Sequence, residues 1–92
     1  MTTKEELQHH ADPEYLKTVT LYRMAVIIKR DWKKVNYAAE PYLAAMATLN
    51  SIDYDYGHDS GKSIVLYFLS NAKSWRGEVA RAVKKELKRR CK

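Results

Sequence analysis

Ile64-Val65-Leu66-Tyr67-Phe68-Leu69 is a run of six large apolar residues with no polar break. On a helix, six consecutive apolar residues cover every side, so the run predicts an element surrounded by others. Asp59 or Ser60 is placed to cap it, and Ser70, Asn71 and Ser74 to end it, which puts a helix near 60–72.

The next stretch outward is strongly basic. On a helix over about 74–90, Trp75, Val79, Ala80, Val83 and Leu87 share one face. Arg81, Lys84, Lys85, Lys88, Arg89 and Lys92 share the other, with Gly77 weakening the helix by roughly 1 kcal/mol relative to alanine. Of the chain's net charge of +6, the part from Lys73 onward holds nine cationic residues against Glu78 and Glu86, a net +7. The preceding residues together carry −1. Such asymmetry bears on partners, not on fold.

Toward the amino terminus, Pro41 opens a helical pattern over about 41–54. Tyr42, Met46 and Leu49 form its stripe, with Ala45 and Ile52 beside them, and small alanines allow a close neighbour. Pro41 is expected to hold Glu40 extended, and Gly57 to act as a left-handed cap after Asp53-Tyr54-Asp55-Tyr56. Asp12-Pro13-Glu14 is a start signal: Asp12 as N-cap, Pro13 where its missing N–H is harmless, Glu14 favoured by the dipole. A long central helix over 13–34 is expected, ended by Lys29, Arg30, Lys33 and Lys34, although Thr18 to Leu21 and Val26 to Ile28 are rich in strand formers. Thr3-Lys4-Glu5-Glu6 reads as a capping box for a weak turn, so residues 1–11 are read as a frayed arm.

Ninety-two residues support one core, since so short a chain buries only roughly 60 to 65% of its unfolded surface. The fold class is therefore all-α, a single helical domain over 1–92 in which four main helices (13–34, 41–54, 60–72, 74–90) form a compact bundle. No stretch from Met1 to His10 is apolar enough for a leader or a membrane span. The only cysteine, Cys91, lacks a disulfide partner within the chain. Both features suggest a cytoplasmic protein with an incidental surface thiol.

Several motifs invite chemistry and fail on spacing. Gly57-His58-Asp59-Ser60-Gly61-Lys62-Ser63 resembles a phosphate-binding P-loop, but three residues separate Gly57 from Gly-Lys-Ser where the motif requires four. Gly61-Lys62-Ser63 is better read as a helix start. Asp53, Asp55 and Asp59 resemble a calcium loop, yet His58 occupies the glycine position and Ile64 the closing glutamate position. His9 and His10 are adjacent, whereas paired ligands on a helix need a spacing of three or four. A helix-turn-helix over Ser63 to Arg90 would put Tyr67 where a small residue belongs and Gly77 where an apolar anchor belongs. No nucleophile stands beside a base. Neither catalysis nor a cofactor nor a metal is therefore expected.

What remains is the basic last helix. Arg81, Lys84, Lys85, Lys88, Arg89 and Lys92 are the candidate macromolecule-binding residues, facing an acidic protein partner. The alternative is non-specific phosphate contact with nucleic acid, with Tyr54, Tyr56 and Trp75 as stacking platforms where exposed. A structural homo-oligomer, formed to cover the apolar first and third helices, is the third reading. The brevity and simple organisation are similar to those of small accessory proteins of phages and mobile elements, with no family motif carrying the likeness.

Overall fold

The computed structural model describes residues 10–92; the expected capping box at Thr3 to Glu6, most of the frayed arm, and His9 lie outside them. The described chain is mostly helical, with five helices and one small hairpin. Asp12 caps α1 (Pro13–Leu16) as its sequence requires, its side chain accepting from the Glu14 backbone N–H at 3.0 Å, with Pro13 in the first helical position. The helix stops after one turn. Thr18 donates its hydroxyl to the Tyr15 carbonyl at 2.7 Å, and Thr20 adopts an extended conformation and accepts from the Arg23 backbone N–H. Both threonines offer the backbone an alternative to helical pairing. The single helix expected over 13–34 is accordingly two, α1 and α2 (Leu21–Asp31). Trp32 closes α2, leaving Lys33 and Lys34 beyond it, while Lys29 and Arg30 occupy its last turn.

The second predicted helix is also shorter, α3 (Glu40–Met46). Its start is set by Asn36, whose side-chain oxygen accepts from the Ala39 N–H at 2.8 Å and whose carbonyl accepts from Glu40 N–H. Glu40 is thereby helical instead of extended, and Pro41 sits in the first turn, where its missing donor costs little. Thr48 draws its hydroxyl to the Ala45 carbonyl, and Ser51 accepts from the Asp53 N–H, so the chain turns away well before residue 54.

Residues 55–60, expected as a helix end and loop, pair as an antiparallel hairpin of β1 (Asp55–Tyr56) and β2 (Asp59–Ser60), in register Asp55 to Ser60 and Tyr56 to Asp59. Gly57 does have the anticipated positive φ, 62°, but spends it as the first residue of a two-residue hairpin loop. Ser60 then caps α4 (Gly61–Ser70) by accepting from Ser63 N–H at 3.1 Å. At the far end the Asn71 side chain donates to the Tyr67 carbonyl and Ser70 to that of Leu66. The apolar run is not fully surrounded: Ile64, Val65 and Phe68 are buried, but Leu66 and Tyr67 are 44% and 48% exposed. α4 packs against α3, the hairpin and α5, which leaves one side open, and there Tyr67 meets Tyr42 at a ring separation of 5.4 Å.

α5 (Glu78–Arg90) starts later than the expected residue 74. Gly77 lies outside it, with φ 116° and ψ −177°, a conformation essentially reserved for glycine. Gly77 therefore sets where the helix begins and does not weaken it. α2 packs on α3 and α5, and α1 on α5. Trp32 stacks on Trp75 at 5.8 Å with Phe68 edge-on to both, and the Trp75 indole N–H donates to Asp31 at 2.8 Å. Cys91, expected on the surface, is buried among the core residues. Among the described residues, no helix is long and apolar enough to cross a membrane.

Candidate macromolecule-binding site

α5 is built with two unlike sides. Ala80, Val83 and Leu87 are buried at helical spacing. On the opposite side, Arg81, Lys85, Lys88 and Lys92 form an exposed stripe at intervals of three and four. None of the four pairs with a carboxylate among the described residues.

Between stripe and core sits Glu86, 5% exposed, the acid on which the helix is electrostatically organised. Arg89 grips it with two parallel bonds, Nε to Oε1 at 2.8 Å and Nη2 to Oε2 at 2.7 Å, and Arg90 Nε reaches Oε2 at 2.7 Å. These bonds, the Arg89 bond foremost, hold the Glu86 carboxyl below its ordinary range against the opposing effect of burial. Arg90 Nη2 continues to the carbonyls of Leu16 and Val19, at 2.7 and 2.9 Å, and so satisfies oxygens freed by the break between α1 and α2.

The six predicted residues are not equivalent. Lys85, Lys88, Arg89 and Lys92 line a cleft of about 410 Å³ between α5 and α1. Arg81 is exposed further along the same face. Lys84 turns to the other flank, donating to the Trp75 carbonyl at 2.6 Å with its ammonium 5.8 Å from that ring's centroid. Burial, with help from Lys88 and Arg76, lowers its basicity. The structure also adds Lys17, which lines the cleft from the α1 side. Lys17 is remote in sequence, and only the contact between α1 and α5 brings it in. Glu86 was legible as one of two acids, with Glu78, in the basic stretch, though nothing in the pattern indicated that it is buried.

The other motifs resolve into ordinary structure. Gly57 to Ser63 is the hairpin loop, its second strand and the capped start of α4. His58 is exposed on the hairpin and His10 buried. Among the described residues, no three His, Cys, Asp or Glu side chains converge as a metal site. Burial raises the Cys91 thiol above its ordinary range, with Lys62 opposing, so it is held as a neutral thiol. No protein family model, curated protein or solved structure matches this chain.

Proposed function

We propose that this is a small non-catalytic binding protein that docks the basic face of α5 onto an acidic surface of a protein partner. One observation carries the reading: Arg81, Lys85, Lys88 and Lys92 stand exposed without a carboxylate partner among the described residues, while Glu86 is turned inward and neutralised by Arg89 and Arg90, which leaves Glu78, in the first turn, as the helix's exposed acid. A face needed only for solubility gains from interspersed signs, whereas a single-sign stripe steers an oppositely charged surface and fixes its register. Lys84, engaged with Trp75, takes no part. A protein with one unpaired, reduced cysteine suits the cytoplasm.

Nucleic acid is the runner-up, because the same cations neutralise phosphates. Against it, Trp75 is 2% exposed and offers no stacking surface; Tyr54 and Tyr56 are exposed, but they lie at the hairpin that packs on α4 and not on α5, which carries the cations. The deciding experiment is capture from native lysate with and without nuclease, using the wild type and a Lys85→Glu/Lys88→Glu variant. A partner protein retained after nuclease and lost from the variant supports the proposal. Loss of all bound material on nuclease treatment overturns it in favour of nucleic acid.

A further inference from the structure

Cations from two elements meet at one cleft: Lys17 from the α1 side, and Lys85, Arg89 and Lys92 from α5. Pro13 and Ala82 lie between them, and the walls are mostly carbon. We infer that this cleft receives an acidic peptide segment of the partner, taking one apolar side chain into its floor and carboxylates at its rim. The inference rests on the reading of α5 as a protein-docking face.

The cleft's volume of about 410 Å³ falls in the range of pockets that bury a ligand, about 300–1,000 Å³. Lysine stems extend its apolar lining while their ammonium groups stay in water. A phosphate backbone has no apolar group to place there; a peptide has one beside its carboxylates. Arg89 supplies the fixed point. Glu86, itself buried, holds the guanidinium through Nε and Nη2, leaving the Nη1 donors unspent on a side chain that is 53% exposed. A fork pre-set in this way loses little freedom on accepting a carboxylate. Among the described residues the Lys17 ammonium pairs only with exposed Glu14, at 3.3 Å, and an incoming carboxylate replaces such a contact at little cost.

The test is fluorescence anisotropy with three labelled probes: a short peptide with acidic residues flanking one leucine, the same peptide with serine for leucine, and a single-stranded oligonucleotide of equal charge. The leucine peptide is expected to bind about tenfold more tightly than the serine peptide. Ala82→Gln, which fills the floor with a good helix former, should erase that preference without moving the unfolding midpoint, and Leu66→Ser, on the open side of α4, should keep it. Equal binding of the two peptides overturns the cleft while leaving the basic-face reading intact. Tighter binding of the oligonucleotide, indifferent to Ala82→Gln, overturns both, as does no binding of any probe at low salt.

Discussion

The guanidinium of Arg90 donates to the carbonyl oxygen of Leu16 at 2.7 Å, joining positions 74 residues apart. With its bonds to Val19 and Glu86, this one side chain closes the last helix onto the broken first one. Arg90→Ala leaves two carbonyls without that donor and Glu86 with half its neutralisation. A loss of about 2–4 kcal/mol is expected from charge-assisted bonds of roughly 1.5–3 kcal/mol each, net of relaxation. Lysine should recover little, because an ammonium cannot reproduce the fork. Urea unfolding measures both; a cost for alanine below about 0.5 kcal/mol would show that water satisfies these carbonyls equally well.

Glycine at 61 is a matter of space, and at 57 of backbone conformation. A Cβ on Gly61 would meet the carbonyl oxygens of Ile52 and Tyr54 at 2.8 Å, while one on Gly57 meets nothing within 4 Å. Gly61→Asn should cost about 1–3 kcal/mol through forced backbone shifts. Gly57→Asn should be far milder, because asparagine tolerates the left-handed region. Equal thermal midpoints for the two variants would contradict this division.

Along the apolar run, burial alone should rank the substitutions. Phe68→Ala removes a fully buried ring that sits edge-on to the stacked Trp32 and Trp75 and should cost about 3–5 kcal/mol. Leu66→Ser, on the open side, should stay within about 1 kcal/mol. Tryptophan fluorescence should also change in Phe68→Ala and not in Leu66→Ser. Comparable destabilisation of the two would mean that α4 is covered on all sides after all.

Stability should fall at acid pH through Glu86. Its folded carboxyl lies below the ordinary value of 4.5, so its contribution is fully present above about that pH and is lost as pH falls through the depressed folded value. Glu86→Gln should flatten that part of the pH–stability curve and lower stability at neutral pH, because two guanidiniums lose their counter-charge. An unchanged acid limb would assign the dependence to other carboxylates.

Local chemistry made much of this legible. Asp12 announced its cap, Ser60 was one of two candidates with Asp59, and the burial of Val83 and Leu87 followed from helical spacing, whereas Trp75 is buried from the segment before the helix. The basic stripe of α5 was equally plain. Helix length was less accessible, because Thr18, Thr20 and Thr48 are compatible with a helix interior and act as breakers only where their hydroxyls capture nearby backbone groups. The hairpin at residues 55–60 was missed because its two-residue strands are too short for an alternating pattern.

Composition and periodicity by themselves thus determined that the chain is largely helical, which faces of its last helix are apolar, and where the positive charge lies. Only the tertiary structure decided how that charge is used. It brought Lys17 to α5, turned Lys84 toward Trp75, buried Glu86 beneath Arg89 and Arg90, and left one side of Ile64 to Leu69 open. The physical reason is range: caps and periodic faces depend on neighbours within a turn or two, whereas burial of a charge and closure of a cleft depend on elements the chain brings together from its opposite ends.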